Sequence, residues 1–332
     1  MDDDVPGHLL DGDPSVRWQA LRDLTDAPAD EVATERAKVA TEGWGARLLA
    51  GQRPDGSWDG GAYRPDWVPS ERGGFDCWSA THPVLELLRE LGVDPATPAV
   101  RRAVEQVRDG VRWEYDGSAY FDGEVEPCIN GGALANAAYF GVPADRIVET
   151  LLRTRLPDGG WNCWDEDGTS PSSFHSTICV VEGLWAWEAA GGDDAAVREA
   201  RRTGEEYLLE RRLLRRRSTG AVVDPRFAMP SFPTRWYYDV LRALEHFRVA
   251  RPERDPRCEE AVELVRGKRL PNGLWLLENT HEGPVQFALD EEHEGFPSRW
   301  VTLRALRVLR WWDGQTPSSS QDTAPASSSS SA

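Results

Sequence analysis

Pro54-Asp55-Gly56-Ser57-Trp58, Pro157-Asp158-Gly159-Gly160-Trp161 and Pro271-Asn272-Gly273-Leu274-Trp275 are three copies of one string, Pro-(Asp/Asn)-Gly-x-Trp. Each places turn-forming residues directly ahead of a large aromatic. A worn copy, Asp116-Gly117-Ser118-Ala119-Tyr120-Phe121, lies between the first two. A sharper duplication follows. Phe232-Pro233-Thr234-Arg235-Trp236 returns as Phe296-Pro297-Ser298-Arg299-Trp300, trailed by Leu241-Arg242-Ala243-Leu244 and Leu303-Arg304-Ala305-Leu306 respectively. Self-similarity of this kind marks a repeat architecture.

The segments between the turns carry helical periodicity. Val84, Leu85, Leu87, Leu88 and Leu91 line one face of a helix that Gly92 ends. Ile178 to Glu188 is apolar nearly all round, which predicts a buried helix, whereas Ala195 to Arg217 reads as an outer, solvated one. Pairs of this kind predict about five α-hairpins, which bury their faces only by stacking. Closing the stack into a ring removes its exposed ends. The expected fold is therefore all-α, with no convincing strand alternation. Asp13 to Asp26 reads as an N-terminal capping helix pair, and the Ser-, Thr-, Ala- and Pro-rich stretch from Thr316 as disordered. The expected division is capping helices over 1–40, the repeat domain over 41–313 and a disordered tail over 314–332.

Composition narrows the function. The chain has 332 residues and a formal charge of −18, from 56 acids against 38 bases. Such a surface repels phosphate backbones, so nucleic acid is not an expected partner. No apolar run approaches the roughly 20 residues of a membrane helix. The acidic start MDDDVPGHLL has no export-signal pattern, and five scattered cysteines do not read as a disulfide framework. A cytoplasmic protein is the expectation.

The Gly-x-Trp turns ahead of apolar helices resemble the repeats of squalene–hopene cyclases and of protein prenyltransferase β subunits, over roughly residues 40 to 312. The resemblance implies an α/α toroid with inner helices around a deep apolar cavity. It also implies an enzyme of the terpenoid-cyclase/prenyltransferase class acting on a hydrophobic, isoprenoid substrate. A non-catalytic module holding a lipid or a peptide in the same cavity is the alternative. In a toroid, polar side chains at the starts of inner helices meet the cavity. Five such starts are legible: Phe75-Asp76-Cys77-Trp78, Glu126-Pro127-Cys128-Ile129-Asn130, Ser173-Phe174-His175-Ser176-Thr177, Thr234-Arg235-Trp236-Tyr237 and Ser298-Arg299-Trp300.

Prenyltransferases hold zinc with Asp-x-Cys at one inner-helix start and His at another. Here the matching positions are Glu126, Cys128 and His175, and Cys163 is available as a fourth ligand. Thiolate, imidazole and carboxylate together suit Zn²⁺. The plainer alternative makes Cys128 and Cys179 small core residues and His175 a helix-cap residue. Hopene-type cyclases instead protonate their substrate from an Asp-rich inner-helix start. This chain has Ser173–Ile178 there, which leaves Asp76 and the loop acids Asp165 and Asp167 for proton chemistry or for Mg²⁺ or Ca²⁺. A solvated loop acid keeps a pKa near 4 and protonates an alkene poorly. Arg235 and Arg299, matched in the two repeats, read as a clamp for an anionic group or as partners of loop acids such as Asp224, Asp239 or Asp290. Trp78, Trp164, Trp236, Tyr237 and Trp300 read as the aromatic lining of a substrate pocket, able to stabilise a carbocation. Trp58, Trp161 and Trp275 read as staples between hairpins.

Overall fold

The computed structural model describes residues 5–69, 76–164, 170–251 and 253–314. Asp165, Asp167 and the Ser-rich tail therefore lie outside the described residues. The chain is mostly helical: α1 (Val5–Leu10), α2 (Pro14–Leu24), α3 (Ala29–Lys38), α4 (Gly43–Ala50), α5 (Thr81–Leu91), α6 (Pro98–Gly110), α7 (Pro127–Phe140), α8 (Asp145–Arg153), α9 (Phe174–Ala189), α10 (Ala195–Leu209), α11 (Val240–Ala250), α12 (Glu259–Gly267) and α13 (Arg299–Asp313). The strands among the described residues, β1 (Trp275–Leu276) and β2 (Pro297–Ser298), pair antiparallel and join the last turn to the start of α13.

Three turns share one hydrogen-bonding scheme, and it explains why the string repeats. Gly56, Gly159 and Gly273 adopt φ of 88°, 98° and 86°, left-handed values that suit glycine. The following indole donates back to the preceding helix: Trp58 Nε1 to the Leu48 carbonyl, Trp161 Nε1 to Leu151, and Trp275 Nε1 to Val265, at 2.7, 2.8 and 2.7 Å. The same tryptophans donate their backbone N–H forward, to the hydroxyls of Thr81, Thr177 and Thr302, at 3.1, 3.1 and 3.0 Å. Each Trp is fully buried and ties one helix to the next. This is the staple role expected for all three.

The helices fall into two series. In α7 and α9 nearly all described faces are buried, whereas α6, α8, α10 and α12 bury one stripe each. In the buried series α5 packs on α7, α7 on α9, α9 on α11, α11 on α13 and α13 on α2. The α7–α9 contact is backbone against backbone. A Cβ at Gly131 would lie 2.3 Å from the Cys179 carbonyl oxygen, and one at Gly183 would lie 2.3 Å from the Gly131 oxygen. Glycine's helix penalty, about 1 kcal/mol, is therefore offset by close packing. Trp18 and Gln19 of α2 bond the carbonyls of Leu91 and Glu90 at the end of α5.

Two local expectations change. The 13–26 segment is one helix, α2, flanked by α1 and α3, rather than a pair. The helix from Ala195 stops at Leu209, because the chain doubles back through left-handed Arg212 and Leu213 (φ 46° and 65°) to bury Leu213 and Leu214. The buried faces are also less apolar than the resemblance implies. Glu86 and Glu90 of α5, Glu182 of α9, Arg242 of α11 and Arg304 of α13 influence one another electrostatically, and Arg242 pairs with Glu182 at 2.6 Å. The charges of Arg242 and Glu182 survive there because each meets the other.

Candidate functional site

The expected site residues sit on the segments that lead into the buried helices. Glu126 is the N-cap of α7, and Pro127 pre-sets the first helical position, where no N–H is needed. Cys128 follows. Cys163 lies just past the Trp161 staple, and its N–H donates to the Ser176 hydroxyl at 3.1 Å. Ser176 in turn donates to the Cys163 sulfur at 3.2 Å. Staple and α9 together thus hold Cys163 against the start of α7, where the Cys128 N–H also donates to it at 3.3 Å.

The result is one compact group. Ligand atoms of Glu126, Cys128 and Cys163 all lie within 4.8 Å of one another. Both cysteines are free thiols, their sulfurs 2.7 Å apart, and the Cys128 sulfur is 3.8 Å from Glu126 Oε2. The hydrogen bond with Cys163 and then burial push the Cys128 thiol well above its ordinary range. Burial raises Glu126, against the hydrogen bonds from the two thiols. Two thiols and a carboxylate are the donor chemistry of zinc. Two sulfurs on one zinc at about 2.3 Å stand roughly 3.8 Å apart, so holding the ion requires these two to separate by about 1 Å.

His175 is outside this group. Its Nδ1 accepts the Tyr238 N–H at 2.9 Å, and its ring packs on Phe227, Trp236 and Tyr237. Burial, then Arg242 and Arg226, bring its pKa down to about 4, so it is neutral at pH 7. Cys179 turns toward α11 instead, donating to the Trp236 carbonyl at 3.5 Å.

A second locus forms around Arg235. A cavity of about 240 Å³ is lined by Trp78, Phe232, Pro233, Arg235, His281, Phe287 and Glu292 among others. Arg235 is 7% exposed, and its backbone is left-handed at φ 54°. Its guanidinium lies 5.4 Å from the Trp78 ring centroid and has no ion pair or side-chain hydrogen bond among the described residues. Burial brings its pKa down to about 10, opposed by Glu90 and Glu86. Arg299 differs. It pairs with Glu291 and donates to the His8 carbonyl at 2.9 Å. Its partner is thus a loop acid, though none of the three named from sequence.

The remaining expected residues divide. Trp78 is buried, its indole N–H shared by the carbonyls of His281 and Glu282, each at 3.0 Å. Tyr237 is stacked between Trp236 and His281, centroids 3.8 and 3.9 Å away, and its hydroxyl donates to Asp76 at 3.0 Å. Asp76 itself is exposed. Trp300 is buried against Phe232, stacked at 4.4 Å. Trp164 is 84% exposed, so it lines no buried pocket.

Sequence reading missed three members of this region. His281 and Glu292 belong to an acidic loop with no helical period, and Tyr63 sits in a turn-rich stretch. Burial, then Arg235 and Arg242, lower His281 to about 3, and its Nε2 is buried without a partner. Burial raises Glu292 to about 7 despite Ser298 and the N–H groups of Trp300 and Arg299; its Oε2 is likewise buried without a partner. The Tyr63 hydroxyl is raised by burial and then by Cys128, Glu86 and Glu126, which links the thiol group to the charged interior. The Glu-Glu-His-Glu run over 291–294 was the available signal for Glu292.

No protein-family model matches the sequence, and no curated protein matches it. A solved structure described as a protein from Actinoplanes aligns over 90% of this chain and 88% of that one, at 17% identity and a TM-score of 0.42. Among the described residues no helix is long and apolar enough to cross a membrane.

Proposed function

We propose that the helices close into an α/α toroid, and that the chain is a terpenoid-cyclase/prenyltransferase-like enzyme acting on a hydrophobic, isoprenoid substrate. Support for the toroid comes from the order of packing. The buried helices follow one another from α5 to α13, α13 packs on α2, and Trp18 of α2 bonds the end of α5. The exposed series lies between them in the chain, so α4, α6, α8, α10 and α12 form the outer layer.

The observation that carries the enzymatic reading is the Glu126, Cys128 and Cys163 group at the start of α7. Three protein ligands leave a position open for a reacting group. A zinc ion held there would supply Lewis acidity or activate a thiol or water. The chain's own residues do the rest. Ser176 orients Cys163 through two hydrogen bonds. Trp78 and Phe232 line the cavity and offer apolar ring surface to a hydrocarbon chain, whereas both faces of Tyr237 are covered by Trp236 and His281. Glu292, raised to about 7 by burial, is a proton donor better matched to neutral pH than an ordinary carboxyl.

Elemental analysis of freshly purified full-length chain tests the metal part. The expected result is about one zinc per chain, lost in Cys128→Ala. Turnover of prenyl diphosphates or linear polyprenes, followed by mass spectrometry, tests the reaction. Metal-free wild type overturns the zinc reading. Retained lipid without turnover favours the binding module instead.

A further inference from the structure

The 240 Å³ cavity holds a charge that no described residue balances at contact distance. Arg235 is more than nine-tenths buried, yet its guanidinium forms no ion pair and donates no hydrogen bond among the described residues. Its five N–H groups form a planar fork, and a buried charge of this kind is costly unless something pairs with it. Its backbone is held left-handed, and its carbonyl is tied by Arg242 Nη1 at 2.8 Å. The backbone of this arginine is therefore held in place, with its guanidinium over Trp78. Glu86 and Glu90, the acids that influence it most, are both beyond ion-pair distance.

The rest of the lining sets the ligand's other properties. Leu87, Phe232, Val285 and Phe287 make the wall apolar. The volume equals about eight groups of roughly 30 Å³ each. Among the described residues, Arg235 is the one permanent cation on the wall, since His281 is held neutral. A diphosphate would bring several negative charges to one guanidinium and would face the Glu292 carboxyl as well. A monocarboxylate matches the fork two oxygens to two N–H groups.

We propose that this cavity binds an apolar monocarboxylate of about eight carbons, its carboxylate on Arg235 and its chain along Leu87 and Phe287. The proposal rests on the reading that a hydrophobic ligand lies among the buried helices. It needs neither zinc nor turnover, so its failure is distinguishable from theirs.

The test is calorimetric titration of the full-length chain with octanoate, geranate, octanol, octyltrimethylammonium and geranyl diphosphate. Octanoate or geranate should bind at least about tenfold more tightly than octanol or the ammonium compound. A preference between the two acids tells a straight-chain from an isoprenoid source. Arg235→Leu should weaken the carboxylate roughly 10- to 100-fold while leaving octanol unchanged. Equal binding of octanoate and octanol overturns the proposal, as does geranyl diphosphate binding more tightly than geranate through Arg235. Should Arg235→Leu fail to fold, the wild-type ligand series decides alone.

Discussion

Arg235 and Arg299 occupy the same place in two copies of one five-residue string, yet Arg299 pairs with Glu291 while Arg235 faces a cavity without an ion pair among the described residues. The divergence begins in the backbone. Arg299 opens α13 as an ordinary helical residue, whereas Arg235 stands four residues before Asp239, the N-cap of α11, in a left-handed conformation.

From that difference comes an opposite response to the same substitution. Replacing a buried charge that has no partner by an apolar residue of similar size removes a desolvation cost without losing an ion pair in return. Arg235→Leu should therefore raise the midpoint of unfolding when no ligand is present. Arg299→Leu frees the carbonyl of His8 and the carboxylate of Glu291, and should lower the midpoint through a stability loss of about 1 kcal/mol. Thermal unfolding of the two variants against wild type is the measurement. A fall for both would mean that Arg235 has a partner in solution.

The staples make a second expectation, this one about equality. Thr81, Thr177 and Thr302 each accept the N–H of the Trp that ends a turn. Valine keeps the shape and removes the acceptor, leaving a buried donor unsatisfied at about 1–3 kcal/mol. Thr81→Val, Thr177→Val and Thr302→Val should each lose stability in that range, within about 1 kcal/mol of one another. Denaturant titration reads this. A negligible loss at any one of the three would separate that turn from the shared scheme.

The same staples show what was legible in the sequence. A turn with left-handed Gly and a buried Trp is local chemistry, so three copies could be read as equivalent before any contact was known. Helix stops were less legible. The end of α10 is set by where Leu213 and Leu214 find burial, a tertiary condition that periodicity does not carry. At the site, Glu126 and Cys128 were recognisable because ligand types at helix starts are few, and Cys163 because it follows a Gly-x-Trp turn. His175 had the right letter at a helix start, but the Tyr238 N–H and the rings of Phe227 and Trp236 claim it. Glu292 and His281 were missed because burial alone distinguishes them from ordinary loop residues, and one sequence does not display burial.

That placement of His175 separates two versions of the metal site. Ligands drawn from Glu126, Cys128 and Cys163 require both thiols but not the imidazole. The Cys128→Ala and Cys163→Ala variants should each lose bound zinc, and His175→Ala should retain it. Elemental analysis of the three, with circular dichroism to confirm folding, gives the answer. Zinc lost from His175→Ala in a folded protein would put the imidazole back among the ligands and require the start of α9 to move.

Glu292 ties stability to pH through a raised pKa. Burial lifts its carboxyl to about 7 from 4.5, while Arg299, already paired with Glu291, and Arg235 across the cavity are too weakly engaged to hold it down. The folded chain therefore keeps a proton that the unfolded chain has released over that interval. Stability from this group is fully present below about pH 4.5 and is lost as pH rises through about 7, by an amount of order 3 kcal/mol. Glu292→Gln keeps a carbonyl to accept the N–H groups of Arg299 and Trp300 but carries no charge at any pH. The variant should match wild type near pH 4.5 and become more stable than it by about pH 8, a difference of a few degrees in melting temperature. Parallel melting curves across this range are sufficient, and a constant offset between the two proteins would show that Glu292 titrates as an exposed carboxylate.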